Sequence, residues 1–240
     1  MKQDPNVYDN ASESYSESRY FGRVDSYIKY LFATRQARII DFFRLIYGRQ
    51  EILSVFEVGC ADGALFRRLQ DVFPDKLSRL AGVDISQKML DVARRETAGV
   101  LTPDFYLRGR EPEDPDKRYD VVVETGVHIE NLESELAYIQ SHLVKQGYTV
   151  ISLASSKSLF TRFKLTDKAY VRDYLSYKRY REMLEKHFKI LGSKSYCLFI
   201  PKLWAIPILA RLLQPALDHL LAPFVPELFH EKLYLLRLRT

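Results

Sequence analysis

The sequence predicts an α/β fold in which a mostly parallel sheet carries helices on both faces. Short apolar segments alternate with amphipathic segments from residue 52 to residue 154, as expected of β-α-β units. The first strand segment, VFEV at 55–58, runs directly into a glycine-rich turn at 59–63. The chain has 240 residues, of which 47% are hydrophobic and 28% charged, and this composition suits one globular domain.

The individual elements follow from the spacing of the apolar residues. Strands are predicted at the short apolar segments, residues 52–58, 80–84, 104–108, 119–125, 148–154, 188–200 and 231–240. Helices are predicted where apolar residues recur every three or four positions, residues 20–48 (one helix or two), 63–73, 86–96, 132–144 and 172–187. Gly48 is predicted to end a helix and Ser86 to begin one, because glycine often follows the last turn and serine caps the first.

Composition also narrows the cellular setting. The two cysteines, Cys60 and Cys197, are too few for a disulfide framework and indicate a reducing compartment. Residues 1–18 are polar and lack the apolar core of a secretory signal. No uncharged apolar run reaches the roughly 18–20 residues that span a bilayer. The sequence therefore predicts a cytoplasmic protein.

The net charge of +5 is concentrated in residues 157–189, which contain ten Lys and Arg residues against four Asp and Glu residues. Such a stretch suits nucleic acid, a membrane surface or an anionic substrate, and it equally suits a solvated helix face. Aromatic residues that could stack bases lie between the charges, namely Phe160, Phe163, Tyr170, Tyr174, Tyr177 and Tyr180. The four tyrosines also have helical spacing, which is typical of packing.

Residues 201–230 separate the last two predicted strands and carry five of the ten prolines. The segment is strongly apolar, with Lys202, Arg211 and His219 between its leucines and isoleucines. Short, proline-broken amphipathic helices are expected here, suited to a membrane surface or to the cover of an apolar substrate pocket. A dimer interface or a place in the core fits the same pattern.

The turn after the first strand distinguishes between two cofactor classes. A dinucleotide site requires G-x-G-x-x-G, and the chain offers Gly59, Ala61 and Ala64 at those places. The pattern E/D-x-G-x-G-x-G is met better, by Glu57, Gly59, Ala61 and Gly63. That pattern resembles motif I of the class I S-adenosylmethionine (SAM) methyltransferases.

This resemblance implies SAM as the cofactor and S-adenosylhomocysteine (SAH) as its product. SAM is a cation, so Glu57 would serve its positively charged amino acid end beside the turn that contains Cys60. Residues 84–90 (DISQKML) match the family's D-x-S-x-x-M-L stretch. There Asp84 would bind both ribose hydroxyls, with Ile85 and Met89 beside the adenine. An acid that caps the next helix is the structural alternative for Asp84.

Two later segments supply the other predicted cofactor contacts. Gly109 follows the third strand as in the family, and Arg110 stands where the family has an adenine-binding acid. The nearby acids that might replace it in that role are Glu111 and Glu113. The exit of the fourth strand resembles that of small-molecule methyltransferases and offers further candidate contacts, Glu124, Thr125 and Val127.

His128 is the candidate general base, because it lies next to the inferred cofactor site and imidazole titrates near neutrality. Glu130 is its rival, and a structural histidine is the alternative. No metal site is predicted. Amino methylation of nucleic-acid bases is disfavoured, since related enzymes use [DNS]-P-P-[YFW] where this chain has ETGV at 124–127. Cytosine C5 methylation is disfavoured because neither cysteine follows a proline.

The resemblance therefore implies a single-domain class I methyltransferase with a Rossmann-like, seven-stranded sheet whose last strand is reversed. Residues 1–48 are expected to form a helical cap or lid that includes Tyr8, Tyr15 and Tyr20. Residues 49–155 would form the SAM-binding core, and residues 156–240 the substrate side with the insertion 201–230.

The expected acceptor is a hydroxyl on a small or lipid-linked molecule, sugars included. Residues 164–230 loosely resemble those of methyltransferases found among cell-envelope polysaccharide and glycolipid enzymes. The expected setting includes peripheral contact between residues 201–230 and the inner face of a membrane, and a homodimer. An RNA methyltransferase that uses residues 157–189 and a non-catalytic SAM-binding scaffold are the alternative functions.

Overall fold

The computed structural model describes residues 9, 12–20, 23–99, 102–110, 118–165 and 168–239. Its centre is a seven-stranded sheet in the order β3-β2-β1-β4-β5-β7-β6. The strands are β1 Leu53–Val58, β2 Leu77–Asp84, β3 Asp104–Leu107, β4 Tyr119–Glu124, β5 Leu143–Ala154, β6 Phe188–Tyr196 and β7 Glu231–Leu238. β7 is antiparallel to both β5 and β6, whereas the other pairings are parallel. The predicted fold with a reversed last strand is confirmed.

Helices cover both faces of this sheet. They are α1 Tyr15–Arg19, α2 Tyr27–Tyr47, α3 Ala64–Val72, α4 Gln87–Thr97, α5 Leu132–Ser141, α6 Leu159–Arg162, α7 Lys168–Val171, α8 Tyr177–His187 and α9 Pro207–Leu221. On one face α2 and α3 bury Phe43 and Phe66, and on the other α5 and α8 bury Leu136 and Leu184. Because both faces are covered, the central strands are apolar at nearly every position.

The strand order places a crevice at one edge of the sheet. β1 pairs in parallel with β2 on one side and with β4 on the other. The chain leaves β1 outward to β2 and β3 and then returns to β4, so the loops after β1 and β4 diverge. Open α/β sheets bind ligands at such a reversal, outside the carboxyl ends of the strands.

The predicted helix boundaries hold where side chains cap the backbone. Ser86 begins α4, and its hydroxyl accepts a hydrogen bond from the Met89 amide at 3.1 Å. α2 begins after Ser26, whose hydroxyl accepts from the Lys29 amide, and it ends at Gly48 as predicted. The helix predicted over residues 20–48 is therefore shorter at its start, because its cap lies at position 26.

Three predicted boundaries are wrong. The helix predicted to reach residue 144 ends at Ser141, and the strand predicted from residue 148 begins at Leu143. Leu143 pairs with Tyr119 and is fully buried, so tertiary pairing overrides its helical spacing. The helix predicted from residue 172 begins at residue 177, because the Ser176 hydroxyl caps it by accepting from the Arg179 amide.

The insertion 201–230 is not a set of short, proline-broken helices. Its main element is α9, a helix of 15 residues that continues through Pro215. Asp218, one turn beyond the proline, accepts hydrogen bonds from the amides of Cys197 and Leu198, and these tertiary bonds hold the helix in place. Among the described residues, no helix combines the length and apolar character needed to cross a bilayer.

Candidate active site

The glycine-rich turn leaves β1 through left-handed backbone conformations. Gly59, Ala61 and Gly63 have φ angles of +73°, +46° and +72°. The Gly59 amide donates to the Val83 carbonyl at 2.8 Å, which holds the turn against the end of β2. A Cβ atom on Gly59 would lie 2.4 Å from Cγ2 of Val127, so a side chain would collide with the loop after β4. Glycine is required here on both counts.

Asp84, at the end of β2, joins the turn after β1 to the loop after β2. Its Oδ2 accepts from the Ala61 amide at 3.0 Å, and its Oδ1 accepts from the Ser86 amide at 2.9 Å. Burial raises the pKa of Asp84, and these hydrogen bonds oppose the rise. Ser86 is the helix cap, so the interpretation of Asp84 as that cap is wrong. Each carboxylate oxygen retains a lone pair for a ligand.

A cavity opens at the crevice between these loops. It is lined by seven of the predicted cofactor residues, Gly59, Ala61, Asp84, Ile85, Met89, Thr125 and Val127, together with Tyr15, Arg108 and Gly126. Tyr15 lies in α1, within the predicted cap, and the guanidinium of Arg19 lies 4.0 Å from the centre of its ring. Burial raises the pKa of Tyr15 to about 12, so its phenol is neutral at physiological pH.

Glu57 is buried in β1, just before the turn. Its Oε2 atom accepts no hydrogen bond from the described residues. Burial raises the pKa of Glu57 well above its ordinary value, the charges of Asp62 and Asp84 raise it further, and Arg67 opposes them. A buried carboxylate without a partner is costly, and a cationic ligand group would compensate it. Glu57 is not among the residues that line the cavity, but it directly precedes the turn, where a cationic group such as the ammonium of SAM would favour its ionised form.

The loop after β3 differs from the prediction. Gly109 and Arg110 are exposed and lie outside the set of lining residues. Arg108 occupies that side of the cavity instead, and its guanidinium donates to Oε1 of Glu135 at 2.6 Å. Arg108 follows the last residue of β3, so the strand end sets its position. The proposed substitutes, Glu111 and Glu113, lie outside the described residues.

Cys60 and Glu124 point into the protein and do not line the cavity. Cys60 is buried against Gly82, where an added Cβ atom would lie 2.8 Å from the Cys60 sulfur. Burial and the neighbouring Glu135 raise the pKa of Glu124 well above its ordinary value, while Arg108 opposes the rise. Glu124 is fully buried beside Glu135 and Arg108. Both residues support the loops and do not contact the cavity.

A second cavity adjoins the first and shares Gly126 and Val127 with it. Its other lining residues are His128, Ile129, Ser152, Leu153, Ala154, Tyr170, Tyr174, Tyr180, His230 and Glu231. Nε2 of His128 lies 3.0 Å from Oδ2 of Asp173, and the His128 ring lies 4.5 Å from that of Tyr170. Glu130, the predicted rival base, is exposed and is not a lining residue.

The start of β7 forms the opposite wall of the second cavity. The Arg35 guanidinium, buried, donates from Nε to Oε2 of Glu231 at 3.0 Å. The same guanidinium fills the space beside Gly126, where a Cβ atom would lie 2.5 Å from its Nη1. Burial lowers the pKa of His230, which packs on Phe160 at 4.3 Å between ring centres. Nδ1 of His230 has no hydrogen-bond partner among the described residues.

Asp173 and His230 were not predicted from the sequence. Asp173 stands 45 residues after His128, inside the predominantly basic segment 157–189. His230 is the last residue of the apolar insertion 201–230. No local spacing marks either residue. Only the pairing of β7 with β5 brings the start of β7 close to the loop after β4.

The basic stretch 157–189 does not form the predicted base-stacking surface. Tyr177 and Tyr180 are buried, and Tyr170 lies against His128 in the second cavity. Many of the charges belong to ion pairs, namely Arg179–Glu182, Arg181–Glu185 and Lys186–Glu133. Packing in the core accounts for Tyr177 and Tyr180, and the exposed face of helix α8 carries charges of both signs.

Comparisons with known proteins agree with this fold. Residues 56–149 match the family model described as a methyltransferase domain. The fold is similar to that of the N-methyltransferase NodS from Bradyrhizobium japonicum WM9 in complex with SAH, with 14% identity over 87% of this chain and 88% of that one and a TM-score of 0.56. The sequence matches no curated protein.

Two further solved structures resemble nearly the whole chain. The plantazolicin methyltransferase BpumL, in complex with a triazolic desmethylPZN analog and SAH, has 14% identity over 98% of this chain and 97% of that one, with a TM-score of 0.58. A protein complexed with the Trm112 methyltransferase activator of Haloferax volcanii has 15% identity over 97% of this chain and 98% of that one, with a TM-score of 0.62.

Fold, cavity and family match together define a class I SAM-dependent methyltransferase. Its cofactor is SAM. The reading as a non-catalytic scaffold is accordingly set aside. Within the described residues, no cluster of three or more His, Cys, Asp or Glu side chains is placed to hold a metal ion.

Proposed function

We propose that the enzyme methylates a hydroxyl group of a small or lipid-linked acceptor, bound in the second cavity, which we call the acceptor cavity. The observation that carries this proposal is the pair formed by His128 and Asp173, 3.0 Å apart, in a cavity that shares two residues with the cofactor cavity. A hydroxyl must lose its proton as it is methylated, and this pair is suited to take it.

The residues of the cofactor cavity have separable roles in the proposal. Asp84 accepts the ribose hydroxyls, and Glu57 serves the cationic end of the cofactor. Ile85 and Met89 pack beside the adenine, and Arg108 lies at the cavity wall. When bound, SAM supplies a methyl group activated by its sulfonium charge. The protein then needs mainly to align the acceptor and remove its proton.

His128 acts as the general base. Donation from its Nε2–H to the Asp173 carboxylate fixes the tautomer of the neutral ring, with the lone pair on Nδ1. The Asp173 carboxylate also stabilises the imidazolium that forms when His128 takes the acceptor proton. The same arrangement of carboxylate and histidine orients the base in other enzymes that activate a hydroxyl.

The cavity walls favour a ring that carries several hydroxyl groups, such as a sugar. The rings of Tyr170 and Tyr174 lie beside His128 and offer stacking surfaces with polar edges. His230, neutral because burial lowers its pKa, offers a second hydrogen-bonding nitrogen across the cavity. One histidine would take the proton of the methylated hydroxyl while the other holds a neighbouring hydroxyl.

The test is transfer of label from SAM that is tritiated on its methyl group. The purified enzyme is incubated with fractionated glycolipids and with sugar extracts, and labelled products are identified by mass spectrometry and NMR. We expect an O-methyl product that the His128→Ala variant forms far more slowly. A methyl group found on nitrogen, or an unaffected His128→Ala variant, would overturn the assignment of a hydroxyl acceptor.

The proposal includes the setting in which a lipid-linked acceptor would be met. Such an acceptor is presented at a bilayer, so peripheral contact through residues 201–230 at the inner face of a membrane belongs to the same proposal. A homodimer remains a separate proposal, to be tested by the mass of the protein in solution.

A further inference from the structure

Helix α9 is amphipathic, but it buries polar side chains and exposes apolar ones. Its buried residues include the polar side chains Gln214 and Asp218. Its outer residues are aliphatic, with exposed fractions of 72% for Leu212, 63% for Ile208 and 62% for Leu220. A surface helix normally turns its apolar stripe inward. Here the apolar stripe faces away from the protein.

The inward polar residues explain why the helix cannot turn over. Asp218 accepts the amide hydrogens of Cys197 at 2.8 Å and Leu198 at 3.0 Å, and it also accepts from the Tyr30 hydroxyl at 2.9 Å. Gln214 donates to the Leu198 carbonyl at 2.7 Å. These bonds satisfy the backbone that follows β6, which would otherwise be buried without partners. The orientation of α9 is therefore fixed by hydrogen bonds.

The exposed apolar surface extends beyond the helix itself. The residues that flank α9 are also exposed, with fractions of 59% for Ile206 and 82% for Phe224. Single exposed leucines are common, whereas a run of large exposed apolar side chains along one element marks an interaction site. We call the exposed apolar side chains of residues 206–225 the apolar strip.

The exposed charged residues of the range 199–225 are all basic. Between Phe199 and Val225 the only acidic residue is Asp218, and its carboxylate is directed inward. The basic residues of this range are Lys202, Arg211 and His219. Basic side chains thus lie between the apolar side chains of the strip, and no carboxylate in this range is exposed.

A second exposed segment has the same character. In residues 159–165, Phe163 is 52% and Leu165 is 49% exposed, and the only charged residues are Arg162 and Lys164. The Phe163 ring contacts that of Phe199, with 6.0 Å between centres, so this segment lies beside the chain that leads into the strip. Both segments combine large apolar side chains with basic ones.

We infer that the apolar strip, with residues 159–165 beside it, rests on the surface of an anionic bilayer. Aliphatic side chains enter the boundary between headgroups and acyl chains, and the basic side chains meet lipid phosphates. A symmetric contact with a second copy would set basic side chains against basic ones. The inference deepens the proposed function, on which it rests for its purpose, because a membrane would present a lipid-linked acceptor.

The test compares vesicle binding of matched variants by co-sedimentation. The vesicles are phosphatidylcholine alone and phosphatidylcholine with phosphatidylglycerol. We expect the wild-type protein to pellet with the anionic vesicles. The pair Leu212→Gln/Leu220→Gln should lower the partition coefficient about tenfold or more, because two aliphatic side chains lose their burial. The control pair Leu45→Gln/Ile52→Gln, at 57% and 53% exposure outside the strip, should bind as the wild type does.

The charge component is tested with Lys202→Gln/Arg211→Gln, which should lose the preference for anionic vesicles. Failure of the wild-type protein to pellet at low salt would overturn the inference. So would equal losses in the control pair, or a stable dimer that Leu212→Gln/Leu220→Gln dissociates. Calorimetric SAM binding is measured on every variant. A wild-type protein that binds SAM and not vesicles would refute the membrane contact and leave the hydroxyl acceptor of the proposed function standing, whereas a wild-type protein that binds no SAM would refute the proposed function itself.

Discussion

Oδ2 of Asp173 lies 3.0 Å from Nε2 of His128, although 45 residues separate them along the chain. The loop after β4 supplies the histidine, and the segment between α7 and α8 supplies the carboxylate. The His128 side chain is 9% exposed and that of Asp173 is 19% exposed, so the pair is shielded from solvent. A carboxylate in such a setting orients the imidazole and stabilises its charged form.

Replacing His128 by alanine should slow methyl transfer and leave SAM affinity unchanged. Loss of a positioned general base costs roughly 10²–10⁴-fold in rate. Asp173→Asn should cause a smaller loss, because the imidazole keeps its place but loses the carboxylate that orients it and stabilises its charged form. Turnover is measured with an acceptor found by label transfer, and SAM affinity by calorimetry.

Glu130→Gln is the matched control for the assignment of the base. Glu130 follows His128 by two residues but is exposed and outside the lining of the acceptor cavity. Its variant should turn over at nearly the wild-type rate. A large loss in Glu130→Gln together with an active His128→Ala would reverse the two roles.

Gly59→Ala should abolish SAM binding, whereas Gly99→Ala should not. Both glycines have positive φ angles, +73° and +80°, so both alanine variants carry a conformational cost of about 1 kcal/mol. Only at Gly59 does the new Cβ atom meet a neighbour, Val127 at 2.4 Å, while nothing lies within 4 Å at Gly99. Calorimetric titration and thermal unfolding separate the two effects. Equal SAM affinity in the two variants would contradict the role of the close contact.

Local sequence accounts for most of the cofactor site. Glu57, Gly59 and Asp84 lie at or next to the ends of β1 and β2. The two strands and the glycine-rich turn between them can be predicted from adjacent residues alone. The acceptor cavity is different, because Asp173 and His230 come from distant segments. Their positions depend on how β7 pairs with β5 and on how the segment between α7 and α8 folds back.

The errors in the elements have the same origin. Leu143 has helical spacing with α5, yet its backbone pairs with Tyr119 and its side chain fills the core. Which face of α9 is buried also could not be predicted from the spacing of its apolar residues. The spacing shows that the helix has an apolar face and a polar face, but not which of the two faces the protein. Asp218 decides that question through hydrogen bonds to Cys197 and Leu198, residues that are 20 or more positions away.

Asp84→Ala should weaken SAM binding by one to two orders of magnitude, or about 1.4–2.8 kcal/mol. The variant loses the acceptor of the ribose hydroxyls and also the bonds to the Ala61 and Ser86 amides. The control is Asp91→Ala, in α4, whose side chain is 62% exposed. This variant should bind SAM normally. Unchanged affinity in a folded Asp84→Ala variant would remove the ribose assignment.

SAM binding should release protons and strengthen as pH rises. Burial raises the pKa of Glu57 in the free protein, and a cationic ligand group would lower it again. At a pH between the Glu57 pKa of the SAM complex and that of the free protein, binding converts a protonated carboxyl into a carboxylate. Affinity therefore increases with pH across that range. Titrations in buffers of different ionisation enthalpy measure the number of protons released. Glu57→Gln should bind SAM more weakly and release fewer protons, which also corrects for the titration of SAM itself.

The same shift predicts a pH dependence of stability in the cofactor-free protein. The folded-state pKa of Glu57 is above its unfolded value, so its contribution is complete below the unfolded pKa and is lost as pH rises through the folded one. Glu57→Gln should therefore raise the unfolding temperature most at high pH. An unfolding temperature that responds equally at all pH values would show that Glu57 does not titrate in the folded state.

Tyr15→Ala should accelerate SAM release about tenfold, equivalent to about 1.4 kcal/mol. Tyr15 lines the cofactor cavity from α1 while Arg19 covers its ring, and the Ser86 hydroxyl donates to the Asp9 carboxylate, which ties the same segment to α4. We propose on these contacts that residue 9 and residues 12–20 act as the lid over the cofactor. Ser14→Ala, at an exposed position next to Tyr15 in the chain, is the matched control. Stopped-flow displacement of bound SAM by SAH measures the rates, and equal rates in all three proteins would show that the segment covers the cavity without retaining the ligand.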